Sequence, residues 1–176
     1  MVHSVELVFD DESDAELRRV WDDLTEAGVR SQASHTSASN RPHVTLMVAE
    51  TMANAVDDAL RPLLAQLPLR CRIGAPMLFG GGPFALVRLV VPSAELLALH
   101  SEVYRVCLPH MTPGPLPHAE PGAWTAHVTL ARRLDAALLP QALAVRSVGR
   151  EVDAVAVGLR HWDGNARVEH PISRRD

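Results

Sequence analysis

The tetrapeptide His-Val-Thr-Leu occurs twice, at residues 43–46 and 127–130, and this duplication restricts the possible folds more than any other feature of the chain. Val, Thr and Leu favour a pleated, half-buried surface, and the apolar pattern continues as Met47-Val48 after the first copy and Ala131 after the second, so both copies are expected to be strands. Residues i and i+2 of a strand share a face. Each copy should therefore present one imidazole and one hydroxyl together, His43 with Thr45 and His127 with Thr129, with its Val and Leu on the opposite side. The copies lie about half of the 176-residue chain apart, each after a loop-like stretch and before a helical one. That arrangement is expected if two equivalent lobes each contribute half of a site.

Paired imidazoles suit phosphodiester chemistry near neutral pH, where a neutral ring takes a proton from the nucleophile and a charged ring protonates the leaving oxygen. An unperturbed His, with a pKa of about 6.5, supplies both forms without extreme burial. The Thr hydroxyls can donate to non-bridging phosphate oxygens and stabilise charge developing on a pentavalent phosphorus. Such a site needs no metal and no cofactor. The pseudo-symmetric motifs leave open which His is the acid and which the base.

The segments Arg41-Pro42-His43-Val44-Thr45-Leu46 and Trp124-Thr125-Ala126-His127-Val128-Thr129-Leu130-Ala131-Arg132 resemble the paired His-x-Thr/Ser-hydrophobic motifs of the two-histidine phosphoesterase superfamily. Within it the likeness is greatest to the 2′-5′ RNA ligase and RNA 2′,3′-cyclic phosphodiesterase group. The resemblance implies a bilobal α+β fold, with two pseudo-symmetric antiparallel β-sheets flanked by helices and an active-site groove between them, spanning residues 1–176 as a single domain. It also implies metal-independent hydrolysis of a 2′,3′-cyclic phosphate to a 2′-phosphate. His43 and His127 would be the acid–base pair, and Thr45 and Thr129 the phosphate ligands. One departure is Ala126, where many relatives carry Pro before the His; Pro42 keeps that position in the first copy.

All 17 basic residues are Arg. The lack of Lys excludes a nucleic-acid ligase working through a lysyl-nucleotide, a P-loop and a Schiff-base mechanism, so any ligation must be the reverse of cyclic-phosphate opening. The Ala- and Arg-rich, Lys-free composition suggests a GC-rich bacterial genome. A net charge of −4 argues against extended nucleic-acid binding, because basic side chains supply most non-specific affinity for phosphates. The expected partner is a nucleotide, a short oligonucleotide or an RNA end. Cys71 and Cys107 lack CxxC spacing and read as buried small hydrophobes. With no signal-peptide pattern and no membrane-length apolar run, a cytoplasmic monomer is expected.

Beyond the motifs, strands are expected over 5–9, 69–73, 77–79, 84–91, 152–159 and 166–172, and helices over 14–27, 53–67, 95–107 and 138–145. Pro62 should kink or split the second helix, and Gly80-Gly81-Gly82-Pro83 should form a hairpin turn. The Pro- and Gly-rich stretch 109–123 feeds the second motif and reads as a flap beside the substrate. Phe84, next to the glycine turn, is a candidate for stacking a nucleobase, with core packing the more ordinary role for such a residue. Arg41, Arg132 and Arg133 adjoin the motifs and could neutralise a phosphate; strict alternation sets Arg41 and Arg133 on the His/Thr faces and Arg132 on the opposite one. Two other readings of the site are a module that binds a nucleotide or phosphometabolite without turnover, and a phosphodiesterase for another small cyclic phosphate such as an ADP-ribose cyclic phosphate. A metal-dependent hydrolase is a third, which insensitivity to EDTA would remove.

Overall fold

Strand β1 (His3–Phe9) buries Val5, Leu7 and Phe9 on one face and turns Ser4, Glu6 and Val8 to the other. The computed structural model describes residues 2–173. Helix α1 (Asp11–Glu26) starts at Asp10, whose carboxylate accepts from the Ser13 N–H, and Asp11, Glu12 and Asp14 lie at its positive end. It buries Leu17, Val20, Trp21 and Leu24, the stripe expected from their spacing. After β2 (His43–Met52), α2 (Val56–Leu60) gives way to a 3-10 turn over 61–66, so the expected second helix is split beside Pro62.

The two short strands expected next are one, β3 (Leu69–Phe79), which shifts register against β4 (Phe84–Val90) between Ile73 and Pro76. Helix α3 (Ala94–Cys107) is capped by Ser93. Then follow β5 (Met111–Pro115), β6 (His127–Leu134), α4 (Leu139–Ala144), α5 (Arg146–Gly149), β7 (Val152–Asp163) and β8 (Val168–Ile172). Arg88, inserted in the apolar run of β4, is fully buried. Its guanidinium donates to the carbonyls of Gly74 and Arg150, both at 2.6 Å, and to those of Ile73 and Ser147. The carbonyls exposed by the β3 irregularity are thereby satisfied.

All strand pairs are antiparallel, in the order β1-β2-β6-β4-β3-β7-β8, with β5 added to β2 and β7 also paired with β1. The long β7 serves both lobes: residues 152–156 pair with β3, and residues 156–163 pair with β1. On the other side the lobes meet through the single pair Val44↔Val128, between the motif strands. Helices back this single eight-stranded sheet over two apolar clusters, one including Leu7, Met47, Leu60 and Leu99, the other Trp21, Leu24, Leu86 and Leu130.

Both motif strands carry a bulge at the same place. Glu6 lies opposite Thr45 while Val5 lies opposite Met47, so Leu46 is the extra residue of β2. Val87 lies opposite Thr129 while Leu86 lies opposite Ala131, so Leu130 is the extra residue of β6. Consecutive side chains, Leu46-Met47 and Leu130-Ala131, are consequently all buried. A bulge bends its strand and re-aims the side chains beside it, here immediately after each motif Thr.

Cys71 and Cys107 are free and buried, and burial pushes their thiols up to about 11 and about 12. No helix among the described residues is long and apolar enough to cross a membrane.

Candidate active site

The adjacent strands β2 and β6 bring the four motif side chains together. His43, Thr45, His127 and Thr129 are partly exposed, whereas Val44, Leu46, Val128 and Leu130 are buried, as the alternation predicts. An antiparallel register about Val44↔Val128 sets His43 across from Thr129 and Thr45 across from His127. Each imidazole is fixed in the same way: His43 Nδ1 lies 2.7 Å from the Arg41 carbonyl and His127 Nδ1 lies 2.7 Å from the Thr125 carbonyl. A carbonyl only accepts, so each Nδ1 carries the hydrogen, and each Nε2 is the atom left to exchange a proton.

The surroundings of the two rings differ. Burial, together with the charges of Arg132 and His43, holds the His127 pKa below the usual imidazole range, against the opposing effect of the Thr125 carbonyl. Phe79 meets His127 edge to face, with centroids 4.8 Å apart. At His43, the nearest charge is a carboxylate: Glu6 Oε1 lies 3.6 Å from Nε2. Burial alone would push the Glu6 carboxyl up, but the charges of His43 and Arg160 and hydrogen bonds from Ser4 and Arg160 more than offset it, and Glu6 sits below the ordinary carboxylate range.

A mostly apolar groove of about 620 Å³ opens on the His127 side of the pair. Its walls include Thr45, His127, Phe79, Trp124 and the segment Leu116–Ala119. The stretch expected to be a flap thus divides: its first part is β5, paired with β2, and the following loop lines the groove.

Phe84 is not among the groove-lining residues. It packs against the cluster of Trp21, Leu24 and Leu86, because β4 begins there on the helix-covered side. Phe79, at the other end of the glycine turn, and Trp124 are the aromatic side chains that line the groove. In β6 the alternation expected for Arg132 and Arg133 does not hold. A second register shift between Phe84 and Leu86 and a positive φ of 55° at Arg133 leave Arg132 and Arg133 both exposed. They share a small cleft with Arg30 and His35, and it is Arg132 whose charge reaches His127. Arg41 supplies the carbonyl that holds His43, and its own Nε is buried without a hydrogen-bond partner among the described residues. Among the described residues no group of three or more His, Cys, Asp or Glu side chains is placed to hold a metal ion.

Glu6 escaped the sequence reading, although a lone carboxylate within Val5-Glu6-Leu7-Val8 was a visible anomaly. Also missed were two indole contacts, from Trp124 Nε1 to the Thr45 carbonyl at 3.0 Å and from Trp21 Nε1 to the Thr129 carbonyl at 3.1 Å.

Two bulged strands, each offering an imidazole held through Nδ1 by a backbone carbonyl and a hydroxyl across a pseudo-twofold junction, define a two-histidine phosphoesterase. The chain belongs to the 2′-5′ RNA ligase superfamily, whose family model matches residues 9–164. Among solved structures it is similar to Kluyveromyces marxianus Usb1, with a TM-score of 0.51 and 13% identity over 97% of each chain. A phosphoesterase crystal structure gives 0.50 and 12% identity over 98% of this chain and 95% of the other. Escherichia coli LigT complexed with NADP+ gives 0.50 and 11% identity over 97% of this chain and 94% of the other. At such identities these neighbours support the fold alone. No curated protein matches the sequence.

Proposed function

We propose that the protein hydrolyses 2′,3′-cyclic phosphates, on nucleotides, short oligonucleotides or RNA 3′ ends, to 2′-phosphates without a metal ion. His43 and His127 form the acid–base pair, and 2′-5′ ligation is the reverse direction of the same chemistry. The observation that carries this reading is the matched presentation of the two imidazoles: each Nδ1–H is engaged by the carbonyl two residues earlier, which leaves both Nε2 atoms for in-line proton transfer. Thr45 and Thr129 hold the non-bridging oxygens. Arg41, whose Nε lacks a partner among the described residues, and Arg132 supply positive charge; Arg133 lies in the same small cleft as Arg132. The apolar groove beside Phe79 suits a nucleobase, and a nucleotide is what LigT holds in its NADP+ complex.

The test is hydrolysis of the four nucleoside 2′,3′-cyclic monophosphates, and of a short RNA ending in a cyclic phosphate, in the presence of EDTA. The 2′-phosphate is the expected product, and it should be lost in both His43→Ala and His127→Ala. A folded wild type that turns over none of these substrates would overturn the reading.

A further inference from the structure

The junction between β2 and β6 relates the lobes so closely that differences between them stand out. β1 flanks β2 as β4 flanks β6, and the residue opposite the motif Thr is Glu6 in one lobe and Val87 in the other. Val87 is 1% exposed, and Glu6 is 5% exposed. A carboxylate thus occupies, at one imidazole, the place that an apolar side chain takes at the other.

Glu6 is also held firmly. Ser4 Oγ donates to its Oε1 at 2.6 Å, and Arg160 donates to its Oε2 from Nε at 2.7 Å and lies at 2.6 Å through Nη2. Arg160 is itself buried, and its Nη1 donates to Glu169 and to the Ser39 carbonyl in the loop that leads into the first motif. The separation of 3.6 Å from Glu6 Oε1 to His43 Nε2 is long for a hydrogen bond. The carboxylate therefore supplies negative charge beside the ring without claiming its proton.

Accepting the cyclic phosphodiesterase reading above, we infer that Glu6 is a positioning residue that makes the two histidines unequal, its buried carboxylate beside His43 Nε2 favouring His43 as the proton donor and leaving His127 as the base. His127 Nε2 takes a proton from water as the water oxygen bonds to phosphorus. The bond from phosphorus to the 3′ oxygen breaks, and that oxygen receives the Nε2 proton of His43. His127 ends as imidazolium and His43 as neutral imidazole, and exchange with solvent resets both. The groups facing the pair agree with this order. From β1 and β7, Glu6 and Arg160 stand behind His43; on the His127 side are Phe79, Arg132 and, in the groove wall, His118. Among the described residues no carboxylate lines the groove at His127, and burial holds the pKa of this ring down, which favours the neutral form that a base needs.

Glu6→Gln removes the charge while keeping the shape, and leaves Arg160 paired with Glu169. The alkaline limb of the kcat/KM profile, which reports the acid, is expected to move down by about one pH unit with the acidic limb unmoved. Glu6→Asp, which retains the charge, should hold the limb near its wild-type position. Independently of turnover, 15N imidazole shifts should show the difference in protonation between the two rings narrowing in Glu6→Gln. Unmoved limbs in folded Glu6→Gln, or a difference between the rings that this substitution leaves unchanged, would overturn the inference. Unequal rings without hydrolysis of any cyclic phosphate would instead overturn the proposed function and leave the Glu6–His43 pairing standing.

Discussion

Trp124 Nε1 donates to the backbone carbonyl of Thr45 at 3.0 Å, and its ring lies flat on buried His100, with centroids 3.9 Å apart and planes 2° from parallel. Trp21 makes the matching hydrogen bond to Thr129. Each indole comes from one half of the chain and holds the motif Thr of the other half, so the two halves of the site are locked in register beside their bulges. Trp124→Phe keeps a ring on His100 and removes the donor. The lost hydrogen bond should cost about 1 kcal/mol, or about 2–4 °C in Tm. Misplacement of Thr45 should lower kcat/KM by about tenfold to a hundredfold. Thermal melting and initial rates on a cyclic nucleotide check both.

The threonines themselves can be tested without changing side-chain volume. Thr45→Val or Thr129→Val deletes a donor to the developing charge, and each is expected to cost about 1–3 kcal/mol of transition-state stabilisation, roughly 5- to 160-fold in kcat/KM. If the hydroxyls bind phosphate as proposed, melting temperatures stay near the wild type and the loss falls on the rate.

His43→Ala and His127→Ala should each lower kcat by about two to four orders of magnitude. Because the two rings serve one concerted transfer, the double variant should be little worse than the poorer single one, as expected for residues that act as a unit. Fully multiplicative losses in single-turnover kinetics would show that the rings act in separate steps.

Stability should fall in acid for a reason remote from the groove. On the helix-covered side of the sheet, His161 is fully buried, its Nδ1 lies 2.8 Å from Asp57 Oδ1, and its Nε2 lies 3.0 Å from Nδ1 of His3, which in turn faces Asp163. Burial depresses the His161 pKa, with Asp57 opposing. The unfolded chain therefore takes up this proton first, and stability present above about pH 6.5 is lost as the pH falls towards the depressed folded value. Glu6 and Asp163, both held below the ordinary carboxylate range, add to the loss only at lower pH, on the same sign argument. Tm should be flat above neutrality and begin to decline below about pH 6.5. In His161→Gln this first segment of the decline should shrink, and what remains comes from His127 and His100, whose pKa values burial also lowers.

Much of this arrangement was legible in local sequence. Period-two alternation placed His43 with Thr45 and His127 with Thr129 on one face, Pro62 marked the break after α2, and the stripe of Leu17, Val20, Trp21 and Leu24 gave the buried side of α1. What escaped depends on partners far apart in the chain. The pairing of β1 with β7 brings Glu6 to Arg160 and His3 to His161, and no local pattern reports such contacts. The bulges at Leu46 and Leu130 were hidden because Leu46-Met47 and Leu130-Ala131 read equally well as continuing strand. Alternation extrapolated through such a bulge assigns the wrong face, which is how Arg132 came to be set apart from the site.

Arg132 and Arg133 are consequently the pair whose roles sequence and structure rank oppositely. The charge of Arg132 helps to depress the His127 pKa, after the larger effects of burial and the opposing Thr125 carbonyl. Removing it in Arg132→Gln should let that pKa rise. If His127 is the base, it must be neutral to act, so the acidic limb of kcat/KM moves to higher pH and activity is lost first on the acid side. If His127 were the acid, the same substitution would extend activity on the alkaline side instead. Arg133→Gln should leave both limbs in place, because its charge is not among those acting on the ring. Profiles from about pH 5 to 9 at constant ionic strength, held low because salt screens an exposed charge, separate these outcomes. They assign the base by a route that does not pass through Glu6.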